Sequence, residues 1–191
     1  MKLKFSEINT ISNYISFFRL LLGIPIFFLL DYIHIDYSYR LLLIGFYFIG
    51  YVSDLLDGYL ARKLNQISEF GKIIDPLADK ICVGIVVFKM YLISEIPDYY
   101  FWIIIMRDVL IFTGGILISK KIGRVLPSNL LGKLTVTSIG IFLIVVTLGV
   151  QEDQWYYTLT LYLSLIMSFA SVIGYSIRAF DVIKWNKDET F

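Results

Sequence analysis

The 191-residue chain is 58% hydrophobic and 17% aromatic, and only 17% of it is charged, against about a quarter in ordinary soluble domains. Its 17 Lys and Arg nearly cancel its 16 Asp and Glu, which leaves no basic surplus for a nucleic-acid footprint and too little charge for a disordered chain. Cys82 is alone, which excludes a disulfide scaffold.

In chain order, residues 5–15 are too polar to cross a bilayer. Phe5, Ile8, Ile11 and Ile15 recur at helical spacing while Ser6, Glu7, Asn9 and Asn13 lie elsewhere. This pattern suits an amphipathic helix on the membrane surface, with an unstructured tail as the alternative. Met1-Lys2-Leu3-Lys4 before an apolar run imitates a signal peptide. However, Phe27-Phe28-Leu29-Leu30 runs into Asp31 without a small-residue cleavage site, so the segment reads as retained. Spanning helices need roughly 20 apolar residues, and six runs qualify, at about 16–33, 39–61, 73–94, 100–119, 128–150 and 155–180. The connections are short, no repeat period or low-complexity tract stands out, and the alternating segments of a barrel are missing. The expectation is one all-α integral membrane domain over 1–191, with six transmembrane helices preceded by the interfacial helix.

Basic residues set the orientation. With six spans, one side receives Lys2, Lys4, Arg62, Lys63, Lys72, Lys120, Lys121, Arg124, Arg178, Lys184 and Lys187. The other receives Asp31, Asp36, Glu95, Asp98, Glu152 and Asp153, with Arg40 its only clear basic residue. Both termini are therefore expected in the cytoplasm.

One stretch breaks the rule that spanning helices avoid charge. Asp54, Asp57, Asp75 and Asp79 lie at the cytoplasmic ends of the second and third spans, where a carboxylate costs a few kcal/mol and marks a functional site by default. On a helix, Asp54, Asp57, Gly58 and Ala61 share a narrow arc, and Asp75 and Asp79 share a face of the next. The intervening residues turn the chain, so the two faces can meet. Four carboxylates without matching basic partners repel one another unless cations occupy the cluster. Hard oxygen donors suit Mg²⁺ or Mn²⁺, and four can hold two ions about 4 Å apart. Zinc fits poorly, since Cys82 and His34 lie elsewhere in the sequence. Gly58 and Ala61 leave the helix face bare, Gly71 can approach a ligand closely, and Arg62 offers a fork to phosphate. Together these describe a diphosphate site.

The same residues match D-x2-D-G-x2-A-R-x8-G-x3-D-x3-D at every fixed position, from Asp54 to Asp79. The chain thereby resembles the CDP-alcohol phosphatidyltransferases, and the six-helix layout is similar over essentially its whole length. The resemblance implies a membrane-embedded transferase that passes the phosphatidyl group of CDP-diacylglycerol to an alcohol and releases CMP. It implies Asp54, Asp57 and Asp75 as metal ligands. Asp79 becomes the general base for the acceptor hydroxyl, also touching the second ion. Gly58, Ala61, Arg62 and Gly71 are the implied CDP-binding positions, and a homodimer the implied assembly.

The form Asp75-Pro76-Leu77-Ala78-Asp79-Lys80 resembles that of the phosphatidylglycerophosphate synthase branch. The segment Asn9–Ser16 with Arg19 and Pro25 resembles that branch's opening motif, with Ser12 in place of a proline and Ser16 in place of a threonine. Glycerol 3-phosphate is the acceptor so implied, with inositol phosphate, serine or phosphatidylglycerol as alternatives. A phosphorylated acceptor needs further cations, for which Arg107, Arg124 and Lys133 are candidates. Arg107 lies well inside span four, and satisfaction by Asp108 or by the cluster is its other reading. Lys120 and Lys121 suit anionic headgroups, and Lys89 is expected to snorkel to the outer interface. The rival class is an ion-coupled transporter, which predicts a polar path through to the outer face and an internal repeat. The acids stop at the cytoplasmic side.

Overall fold

A computed structural model describes residues 11–63, 71–122 and 130–188, and all regular structure among them is helical. The helices are α1 (Ile11–Leu29), α2 (Tyr37–Lys63), α3 (Gly71–Leu92), α4 (Asp98–Ile122), α5 (Leu130–Thr147) and α6 (Trp155–Asp188), with a 3-10 turn at Leu30–Tyr32 after α1. Each expected span falls on one helix. Most of the expected surface helix lies outside the described residues, and from Ile11 onward the chain already belongs to α1.

Five of the described helices are long and apolar enough to cross a membrane, over Tyr14–Tyr32, Tyr37–Leu56, Asp98–Ser119, Leu130–Thr147 and Trp155–Val182. Helix α3 has the length, about 33 Å at 1.5 Å per residue, but Lys72, Asp75, Asp79, Lys80 and Lys89 take it out of that set. Phe48, Leu117, Ile166 and Phe180 are among many large apolar side chains left exposed. In water so much exposed apolar surface would be an aggregation liability, whereas lipid solvates it. The chain is an integral membrane protein.

Contacts divide it into two units: Met1–Glu95 with Thr147–Gly149, and Ile96–Val146 with Val150–Phe191. In the first, α1 packs on α2 and α3. Its inward stripe is Ser16, Arg19, Leu22, Gly23, Ile26 and Leu30, all buried, at the three- and four-residue steps of one helical face. A Cβ on Gly23 would stand 2.7 Å from Ile85 Cδ1, so the bare position lets α1 approach α3 closely. One turn away, the Cys82 thiol donates to the Arg19 carbonyl at 3.0 Å.

Lys89 does not simply reach for the interface. Its side chain is 9% exposed, with Nζ 2.6 Å from Asp31 Oδ1 and 4.4 Å from the centre of the Phe27 ring. His34 Nε2 lies 2.6 Å from Glu95 Oε1.

The helix ends of this unit are closed by specific devices. Asp36 Oδ1 accepts the Ser38 N–H at 2.7 Å, capping α2, and that bond holds the Asp36 carboxyl below its ordinary value. Helix α3 ends with Ser94 at φ 59°, the Ser94 N–H donating to Tyr91 O and the Glu95 N–H to Met90 O. That is a Schellman motif with serine where glycine is usual. Gly149, at φ 82°, ends α5, and Arg40 Nη1 donates to Thr147 O at 3.0 Å. The one basic residue on the acidic side of the charge pattern thus caps a helix C-terminus, where a cation is favoured.

In the second unit α4 packs on α6. Tyr100, Phe142 and Tyr157 stack in series, with centroids 4.6 and 5.3 Å apart, and Ser164 Oγ donates to the Tyr100 hydroxyl at 3.1 Å. Ser164, Ser168 and Ser171 form a buried small-residue stripe on α6, suited to close helix packing in lipid. Thr135 of α5 donates to the Met167 carbonyl at 2.9 Å.

Candidate active site

Helix α2 carries Asp54, Asp57, Gly58, Ala61 and Arg62 in its C-terminal part, and α3 carries Gly71, Asp75 and Asp79 at its start. Both runs are helical, as the spacing requires. The side chains of Asp57, Ala61, Arg62 and Asp75 lie outside the described residues, as do the surroundings of Gly58 and Gly71 and the whole of Arg124. Asp54 and Asp79 are described, and they converge. Arg19 Nη1 donates to Asp54 Oδ1 at 2.8 Å and also to Asp79 Oδ1. The Arg19 side chain is 4% exposed, whereas those of Asp54 and Asp79 are 45% and 44% exposed. One cation therefore joins three helices from within, while each carboxylate keeps an open side.

This arrangement bears on metal binding. Two carboxylates from different helices meet at a point where the fold already satisfies a positive charge. Their donors are hard oxygens with free approach, which fits Mg²⁺ or Mn²⁺. The nitrogen and sulfur ligands that zinc prefers are engaged elsewhere, His34 with Glu95 and Cys82 with a backbone carbonyl. Among the described residues no three His, Cys, Asp or Glu side chains gather. The remaining members of the proposed quartet, Asp57 and Asp75, lie outside the described side chains.

Arg19 is the site residue that sequence reading passed over. It entered there only as one position of an opening motif. The available signal was physical, since Arg19 is a charge inside the first apolar run and needs a partner for the same reason the aspartates do.

The acceptor-phosphate candidates belong to the second unit. Arg107 is buried, donating from Nε to Ser171 Oγ at 3.0 Å and from Nη1 to Asp108 Oδ1, so its charge is satisfied locally. Lys133, near the start of α5, is exposed.

The sequence model of CDP-alcohol phosphatidyltransferases matches residues 9–173. The chain belongs to the CDP-alcohol phosphatidyltransferase family. Among similar members of that family, a CDP-diacylglycerol–glycerol-3-phosphate 3-phosphatidyltransferase of Aquifex aeolicus is 31% identical over 91% of this chain and 97% of its own length. One of the same description from Mycoplasma genitalium is 29% identical, covering 91% and 85%. A third, from Bacillus subtilis, is 38% identical over a shorter stretch, 46% of this chain and 45% of that one. In the phosphatidyltransferase described here, the matched region takes in Arg19 and every motif position.

Proposed function

We propose that this chain makes a phospholipid by transferring the phosphatidyl group of CDP-diacylglycerol to glycerol 3-phosphate, with release of CMP. The observation that carries the reading is the convergence of Asp54 and Asp79 from two helices that bear the complete family motif. The names of the relatives favour the acceptor.

In this reading Asp54, Asp57 and Asp75 bind Mg²⁺ or Mn²⁺, two ions in all, with Asp79 touching the second. Bound divalent ions would neutralise the diphosphate oxygens and stabilise charge on departing CMP. Asp79 takes the proton of the acceptor hydroxyl as its oxygen attacks the lipid-side phosphorus and the bond to CMP breaks. The half-exposed Asp79 carboxylate keeps an open side toward an acceptor hydroxyl. Gly58, Ala61, Arg62 and Gly71 receive the CDP moiety, and Arg107, Arg124 and Lys133 are the candidates for the acceptor phosphate. Helix α3 is the third of six spans in one domain, with a surface helix ahead of α1. Both termini and the site face the cytoplasm, and the protein works as a homodimer.

Purified protein should release CMP from CDP-diacylglycerol only when Mg²⁺ or Mn²⁺ and an acceptor are present. In a panel of glycerol 3-phosphate, inositol phosphate, serine and phosphatidylglycerol, the first should be the substrate. Asp79→Asn should abolish turnover while keeping CDP-lipid binding. No release with any acceptor would sink the transferase reading, and full activity of Asp79→Asn would remove it as base.

A further inference from the structure

We propose that Arg19 is a resident countercharge of the acidic site. It holds Asp54 and Asp79 together when no divalent cation is bound, and its charge opposes that cation at the same two carboxylates. The inference rests on the metal reading above and concerns a residue to which that reading gives no role.

The geometry is that of a shared cation. One nitrogen, Nη1, serves one oxygen from each carboxylate, so a single cation is shared between the two acids. Arg19 approaches from the buried face of α1 and is itself almost wholly enclosed, while both acids stay half open. The backbone beneath it is also held, because the Cys82 thiol of α3 donates to its carbonyl. Without Arg19, Asp54 and Asp79 lose the cation they share. The empty site then loses stability, and an incoming divalent ion no longer meets the arginine's repulsion.

Two effects of opposite sign follow, a combination that a packing role does not produce. Neutral Arg19→Met should lower the unfolding temperature of the metal-free protein and tighten Mn²⁺ binding. The tightening should be roughly tenfold, inside the 5–150-fold range usual for two coupled ligands. Arg19→Lys keeps the charge but not the reach of the fork, so it should shift both quantities less and in the same directions.

The experiment uses the full chain in nanodiscs, stripped of metal. Thermal unfolding is followed with and without saturating Mn²⁺, and free Mn²⁺ is titrated by electron paramagnetic resonance. Support is a Tm deficit for Arg19→Met that closes on adding Mn²⁺, together with a lower Mn²⁺ Kd. An equal Tm deficit in both conditions, or a Kd unchanged or weaker than wild type, would overturn the inference while leaving the metal reading standing. If Arg19→Met does not fold, a wild-type Kd in Arg19→Lys overturns it as well. A wild-type protein that binds no Mn²⁺ would instead bring down the metal reading, and this inference with it.

Discussion

The pair between Lys89 and Asp31 makes a sharp stability prediction. Lys89 has its side chain nine-tenths enclosed, and Asp31 is 46% exposed. Breaking a fully buried pair by removing one partner costs about 3–5 kcal/mol, and breaking an exposed pair costs about 1 kcal/mol or less. Asp31→Asn strands the enclosed ammonium, but water reaches the pair from the Asp31 side. The Phe27 ring also remains, and a cation at such a distance from a ring gains about 1 kcal/mol. The expected loss is therefore about 2 kcal/mol, or about 4–8 °C in Tm for a chain of this length. Lys89→Met deletes the enclosed charge and leaves Asp31 free to turn to water, so it should cost about 1 kcal/mol or less. Because the harm in Asp31→Asn comes from the stranded lysine, the double variant should match Lys89→Met rather than the sum of the two. Thermal unfolding in nanodiscs, followed by tryptophan fluorescence, measures all three. Equal and additive losses from the two single changes would refute the reasoning.

Three further outcomes follow from the helix ends. Ser94→Gly removes the penalty of a positive φ at the end of α3 and should stabilise the protein by about 1 kcal/mol, read as a rise in Tm. Gly149→Ala places a Cβ at φ 82°, 2.7 Å from Arg40 Nη1; it should cost about 1–2 kcal/mol in the same assay, since the arginine tip can move but the backbone cannot. Asp36 titrates below its ordinary 3.8 because it accepts the Ser38 N–H, so its contribution is complete above pH 3.8 and is lost as pH falls through the lowered folded value. The stability difference between wild type and Asp36→Ala should shrink on acidification across that window; a difference that grew would contradict the cap.

Much of this molecule was readable from the chain, and the exceptions have physical causes. Asp54 and Asp79 could be brought together on paper because carboxylates in an apolar helix demand a shared reason, and helical spacing aims them. Arg40 looked like a flaw in the charge pattern. Its use as a cap depends on the end of α5, more than a hundred residues away, and no local pattern announces such a contact. The partner of Lys89 escaped notice similarly, since Asp31 had already been counted as an orienting charge. Arg19 differs in kind: a motif position accounts for it locally, and its acidic partners lie 35 and 60 residues further on. Two of the five charges that take α3 out of the apolar set, Asp75 and Asp79, belong to the motif, so here hydropathy and function pull against each other.

The bridge from Arg19 to Asp79 also has a history in time. Asp54 is made 35 residues after Arg19, and Asp79 is made 60 after it. At about 5–20 residues per second, Arg19 is made roughly 3–12 s before its second acid exists. Over that interval a charged side chain in lipid costs the first helix a few kcal/mol. That helix is apolar enough to cross a bilayer, but the charge weighs against it until α2 brings Asp54. Its full hold comes only with α3, which brings Asp79.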